Sequence, residues 1–164
     1  MTVPVGLAYI ALGTNLGDRE AHLKAAADFL GEGPLNCLRL SPIYETPPMG
    51  PPQPNYLNAV AEVETELGPR ALLSHLKAYE VRAGRSPGRR WGPREIDLDL
   101  LLLGPGSYQD GLLTVPHPGL TQRDFVLQPL CDLAPELVVP GQTRTVRALL
   151  AALELPPLAR FLDV

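Results

Sequence analysis

Five of the nine residues 46–54 are proline: Pro47, Pro48, Pro51, Pro52 and Pro54. Proline lacks an amide hydrogen and holds φ near one value, so such a run joins neither a helix interior nor a central strand. The stretch must be an exposed, semi-stiff loop, and the segments on either side of it read alike. Before it, residues 5–12 are apolar and β-prone, stopped by Gly13-Thr14-Asn15. Asp18 is placed to cap a helix that reaches about Gly31, and Gly33-Pro34 end it. Residues 36–44 alternate in part and form a second strand. After the loop, Leu57, Ala59, Ala61 and Val63 alternate with Asn58, Val60, Glu62 and Glu64, which predicts a third strand over 56–66. Pro69 suits the first turn of a helix through about Ala83, with Leu72, Leu73, Leu76 and Tyr79 as its buried stripe. A loop rich in Gly, Pro and Arg spans 84–93, and a fourth strand follows over 95–103.

Downstream lie a short edge strand at 112–115 and helices at 124–133 and 145–153. The order defines an α+β class with a ferredoxin-like β-α-β-β-α-β core, an antiparallel sheet and a C-terminal helical and loop appendage. No internal repeat or long linker divides the chain, so residues 1–164 are expected to form one domain. That arrangement hosts many activities, and function has to be read from side chains.

A chain of 164 residues buries roughly 70% of its unfolded surface, enough for a core without disulfides. Cys37 and Cys131 match no metal or redox spacing and read as two buried, reduced thiols. The sequence has no apolar run of the ~20 residues a membrane span needs, and residues 1–6 have no basic patch of the kind that opens a signal peptide. A cytoplasmic, monomeric protein is the expectation, with neither membrane nor nucleic acid as partner. A net charge of −4 likewise opposes general nucleic-acid binding. Residues 80–99 nevertheless mix five arginines with four acids, a density that points to binding anions and cations together.

Within that segment, Ile96-Asp97-Leu98-Asp99-Leu100 is the sharpest feature. Residues two apart on a strand share a face, so Asp97 and Asp99 point together, roughly 7 Å apart at Cα, while Leu98 and Leu100 enter the core. Two such carboxylates repel by about 4 kcal/mol at 4 Å and an effective dielectric of 20. Cations must offset this, and magnesium favours one or two carboxylates completed by water and substrate phosphates. A solvent-facing strand with salt bridges is the alternative. Arg85, Arg90 and Arg94 lie just upstream, and guanidinium groups bind phosphate bidentately. Together these residues are equipment for phosphoryl transfer. Trp91 is either a hydrophobic anchor or a platform for a flat heterocycle. His117, set between Pro116 and Pro118 with Arg123 six residues on, reads as a further anion contact. His22 and His75 fall in helices and are treated as background.

Arg90-Trp91-Gly92-Pro93-Arg94-Glu95-Ile96-Asp97-Leu98-Asp99-Leu100 resembles the characteristic segment of the 6-hydroxymethyl-7,8-dihydropterin pyrophosphokinase family of folate biosynthesis. Further matches follow in the same order along the chain: Ala11-Leu12-Gly13-Thr14-Asn15-Leu16-Gly17, Tyr44-Glu45-Thr46-Pro47-Pro48-Met49-Gly50, Asn55-Tyr56-Leu57-Asn58-Ala59, Leu113-Thr114-Val115-Pro116-His117-Pro118 and Arg123-Asp124-Phe125-Val126-Leu127-Gln128-Pro129-Leu130. The resemblance implies transfer of a pyrophosphoryl group from ATP to the pterin, with AMP leaving. It implies that Asp97 and Asp99 bind two Mg2+ ions, and that Arg85 and Arg94 neutralise the moving phosphates. Glu80, His117 and Arg123 would complete the ATP site, with Leu98 and Thr114 near the adenosine. The pterin would lie between Trp91 and Phe125, with Asn58, Thr46, Pro47, Met49 and Tyr56 around it.

The chain departs from the family pattern at Pro87, where many members carry a second arginine; at Lys77, where some have glutamine; and at Leu112, where some have an ATP-contacting arginine. Two other readings compete. A base-stacking nucleic-acid module would need aromatics on the sheet, yet aromatic residues make up only 5% of the chain. Another metal-dependent transferase, such as a nucleotidyl transferase, would use the aspartate pair but leave the proline loop and Asn58 without a purpose.

Overall fold

The computed structural model describes residues 1–48, 50–84 and 95–162. Met49, Arg85, Trp91 and Arg94, all named above as site residues, therefore lie outside the described residues, as do Pro87 and Arg90.

Strand β1 (Leu7–Thr14) is central and antiparallel to both neighbours, β4 (Tyr56–Thr65) and β5 (Asp97–Leu103). Beyond β4, strands β2 (Leu35–Leu40) and β3 (Ile43–Thr46) lie end to end along its other edge, and β8 (Ala159–Leu162) pairs with β3. A separate hairpin joins β6 (Tyr108–Gln109) and β7 (Thr114–Val115). Helices α1 (Arg19–Phe29) and α2 (Pro69–Arg82) cover one face of the main sheet; α3 (Asp124–Leu133) and α4 (Val146–Ala152) cover the other.

The sequence signals act locally as expected in several places. The Asp18 carboxylate caps α1 by accepting from the Ala21 amide at 3.1 Å, and Pro69 opens α2. Leu72 and Leu76 are fully buried beneath α2, against Leu98 and Leu100 of β5. Burying a leucine completely contributes on the order of 2 kcal/mol, so this layer is a main support of the strand that carries the aspartates.

Three expectations are corrected. The single strand over 36–44 is two strands, because Pro42 offers no N–H to the ladder. Ser41 bridges the break: its amide donates to the Val60 carbonyl and its hydroxyl accepts from the Val60 amide, both at 2.9 Å. Both faces of β4 carry buried residues. Asn58, Val60 and Glu62 are buried, since α3 and α4 form a full layer over that face. Finally, Gly13 does not stop β1, which continues through Thr14. The terminal strand β8 carries no signal that the alternation pattern picked out. Cys37 and Cys131 are free thiols and partly exposed, not buried. No helix among the described residues is long and apolar enough to cross a membrane.

Candidate active site

Strand register builds the site. Residues directly opposite on antiparallel strands share a face, and Gly13 pairs with Asn58 on one side and Asp97 on the other. Ala11 pairs with Asp99 in the same way. The acidic pair on β5 and the amide on β4 are thus separated only by the two small residues of β1. A cavity of about 210 Å³ opens above them. Its lining includes Asp97, Asp99, Asn58, Thr46, Pro47, Tyr56, His117, Arg123 and Phe125, nine of the residues the sequence selected.

Gly13 has an ordinary backbone, and its role is one of space. A Cβ there would stand 3.3 Å from Asn58 Oδ1 and 3.6 Å from the Tyr56 ring. Ala11, Gly13, Leu101 and Val126 also line the cavity and were not singled out. The available signal was the smallness of Ala11 and Gly13 at alternate positions of a central strand. It was misread as the end of that strand.

On the amide side, Asn58 is buried and its Nδ2 donates to Thr46 Oγ1 at 2.5 Å. That bond commits the nitrogen and turns the amide oxygen toward Gly13 and the cavity, where it is suited to accept from a ligand N–H. Thr46 ends β3, so the stem of the proline-rich loop sets the amide's orientation. Asn15 and Arg19 hold the far stem: Asn15 Nδ2 donates to Gln53 Oε1 at 2.7 Å and to the Pro54 carbonyl at 3.0 Å. Arg19 donates to Glu45 at 2.7 Å and to the Asn55 carbonyl at 3.0 Å.

On the acidic side, the Asp99 carboxyl is pushed up to about 7, first by desolvation and then by the Asp97 carboxylate; Lys77 and Arg123 pull the other way. Two acids facing one desolvated pocket are a costly arrangement that a divalent cation would relieve. The donor set fits magnesium: two carboxylates are present, and among the described residues no cluster of three or more His, Cys, Asp or Glu side chains forms a complete protein cage.

Two cationic or donor groups face the acids. His117 Nδ1 accepts from the Gly119 amide at 3.0 Å, so the neutral ring carries its proton on Nε2 and presents a donor edge. Burial, followed by the Arg123 charge, lowers the His117 pKa and favours that neutral form. Arg123 lies against Gly119, where a Cβ would stand 2.5 Å from its Nε, and its guanidinium is 6.0 Å from the centre of the Phe125 ring. Glycine at 119 is what admits the arginine.

Three expected nucleotide contacts lie outside the cavity lining. Leu98 is fully buried, so its side chain serves the core. Thr114 sits on β7, paired with Gln109. Glu80 is 1% exposed, and its carboxylate accepts from the Leu98 amide.

An antiparallel sheet between two helical layers, with paired carboxylates and an oriented amide in one cavity, presents a site suited to a small molecule and a cation. The family model for 7,8-dihydro-6-hydroxymethylpterin-pyrophosphokinase matches residues 9–135. Among similar proteins, a 2-amino-4-hydroxy-6-hydroxymethyldihydropteridine pyrophosphokinase of Haemophilus influenzae is 44% identical over 136 residues, covering 82% of this chain and 85% of its own. The Bacillus subtilis protein of the same name is 41% identical and covers 80% of each chain. A crystallised HPPK-DHPS protein in complex with substrates superposes with a TM-score of 0.73 at 15% identity, over 89% of this chain. This chain spans 45% of that longer one, and the likeness is one of fold. The chain belongs to the 7,8-dihydro-6-hydroxymethylpterin-pyrophosphokinase family.

Proposed function

We propose that this protein transfers the pyrophosphoryl group of ATP to the hydroxymethyl group of 6-hydroxymethyl-7,8-dihydropterin, releasing AMP and giving the pterin diphosphate for folate biosynthesis. The observation that carries the reading is the convergence of Asp97, Asp99 and Asn58 on one cavity floored by Gly13. An acidic, cation-demanding corner and a flat amide-edged slot lie side by side, as an ATP phosphate chain and a pterin ring require.

Asp97 and Asp99 would hold Mg2+, two ions in this reading. Bound there, the metal would neutralise phosphate charge and lower the pKa of the attacking hydroxyl. The chain's own groups do the positioning. Asn58 Oδ1, turned inward by Thr46, accepts from an N–H on the pterin edge. Phe125 and Tyr56 supply aromatic surface, with Pro47 at the rim. His117 Nε2 and Arg123 donate to phosphate oxygens, with the Thr114 segment beside them. Most of the transfer barrier is met by alignment and charge neutralisation, in which Arg85 and Arg94 take part. Met49 and Trp91 complete the pterin side. For the fold, the order β5-β1-β4, with β2 and β3 along the far edge of β4 and β8 added beyond β3, supports a ferredoxin-like core.

The deciding experiment mixes pure protein with ATP, magnesium and the hydroxymethyl-dihydropterin. AMP and pterin diphosphate should form in equal amounts. ADP in place of AMP would make it an ordinary kinase, and no product at all would end the reading.

A further inference from the structure

Strand β5 stands at the end of the sheet order, so one of its edges faces away from β1. On an edge strand, alternate residues turn N–H and C=O outward, where something must satisfy them. Leu98, the residue between the two aspartates, is one of these. Its N–H donates to Glu80 Oε2 at 2.7 Å, and its carbonyl accepts from Lys77 Nζ at 3.2 Å. Lys77 and Glu80 meet each other at 3.2 Å. Helix α2 therefore does for one peptide what a neighbouring strand would do.

Glu80 is a poor candidate for direct contact with a polyphosphate. It is 1% exposed, and its charge adds to the forces raising the Asp99 pKa. A third carboxylate beside an acidic pair is unfavourable unless it does something else. A charged acceptor on a buried backbone N–H makes a strong, short bond. Because side chains alternate along a strand, rotation of the peptide planes at Leu98 would swing Asp97 and Asp99 together.

We infer that Glu80 is a positioning residue: with Lys77 it fixes β5 at Leu98, and so sets the separation and aim of the two aspartate carboxylates. This rests on reading the pair as the site for metal and phosphate. Lys77 matters by its reach to the Leu98 carbonyl, a bond that ties the helix to the strand on the other side of the same residue.

The test compares wild type, Glu80→Gln and Glu80→Ala by amide exchange at Leu98, by Mn2+ titration in the presence of a non-hydrolysable ATP analogue, and by steady-state kinetics. The glutamine oxygen can still accept from Leu98, so that variant should keep exchange protection and Mn2+ affinity close to wild type. Alanine should expose the Leu98 amide to exchange and weaken Mn2+ binding by about 10–100-fold, the usual effect of removing an outer partner of a metal site. It should lower kcat more than it raises the KM for ATP. Should the alanine variant fail to fold, Lys77→Met cuts the other bond to the same residue and must loosen Leu98 in the same direction. The inference is overturned if any of these variants raises the KM for ATP while Leu98 exchange and Mn2+ affinity stay at wild-type values. Wild-type protein that binds the Mn2+–nucleotide complex yet makes no pterin diphosphate would sink the functional reading alone.

Discussion

Two carboxylate systems share one face of this sheet and have opposite fates. At the Tyr9 end of β1, Glu62 is surrounded: Arg39 donates to both its oxygens at 3.2 and 2.8 Å, and the Tyr9 hydroxyl donates at 2.6 Å. Those bonds, Arg39 first, hold its pKa below the usual glutamate value. Arg39 also donates to the Leu133 carbonyl at 2.7 Å, so the cluster ties β1, β4 and β2 to the end of α3. At the other end, β1 contributes Ala11 and Gly13 in place of a tyrosine, and Asp99 is pushed up to about 7. A large side chain on β1 fills and neutralises; small ones leave a cavity and a charge problem. The first arrangement supports the fold, and the second reserves space and electrostatic demand for ligands.

The strongest break of this contrast is Asp97→Ala or Asp99→Ala. Losing several kcal/mol of charge stabilisation in the transition state should lower turnover by about 10³-fold or more. For Asp99→Ala, circular dichroism and Tm should remain at least as good as wild type, because desolvation and the neighbouring Asp97 charge burden that acid in the folded state. A large fall in Tm would mean that the pair is structural. Next in size is Gly13→Val, which places branched carbon against Asn58 and Tyr56. Overpacking of about 1–3 kcal/mol should weaken pterin binding by roughly 10–100-fold, with nucleotide affinity little changed. Calorimetry with each ligand separately checks this.

The parts of this molecule that were legible beforehand are those where one residue type fixes one local geometry. Asp18 and Pro69 set helix starts through a side-chain acceptor and a fixed φ, and strand periodicity around Asp97 and Asp99 puts two carboxylates on one face; all three are local rules. What escaped depends on partners distant in sequence. Whether Asn58 and Glu62 face water or a helical layer is decided by α3 and α4, some 70 residues on. That Gly13 is a spacer, not a stop, requires knowing that Asn58 and Asp97 flank it. Glu80 could be chosen as a site residue, but its target, the Leu98 amide, follows only once α2 packs on β5. Pro42 is a local signal, since it splits the strand by the same missing donor that marks the later loop.

A smaller effect separates the two carboxylates by stability. Arg39→Ala leaves Glu62 with Tyr9 as its remaining donor among those described above. Since half of the Arg39 side chain is solvent-exposed, the cost should be modest, about 1–2 kcal/mol by urea unfolding. Turnover should be unchanged, because none of these groups lines the cavity. A drop in kcat larger than tenfold would show that the two ends are coupled.

The finest distinction is the sign of the pH dependence, measured by unfolding of metal-free protein. Glu62 has a folded pKa below its unfolded value of 4.5. Its contribution is therefore complete above about pH 4.5 and is lost as pH falls through the depressed folded value. Asp99 runs the other way. Its folded pKa of about 7 exceeds the unfolded 3.8, so between those values the folded state holds the extra proton and stability declines as pH rises. Asp99→Asn should then flatten the curve between pH 4 and 7 and make the protein more stable at pH 8, by about 1–2 kcal/mol once solvent access is allowed for. Arg39→Ala should leave that region alone and shift the acid limb to higher pH. If Asp99→Asn instead lowered stability at pH 8 in the absence of metal, the acidic corner would be a stabilising network like that of Glu62, and the division between the two ends of the sheet would fail.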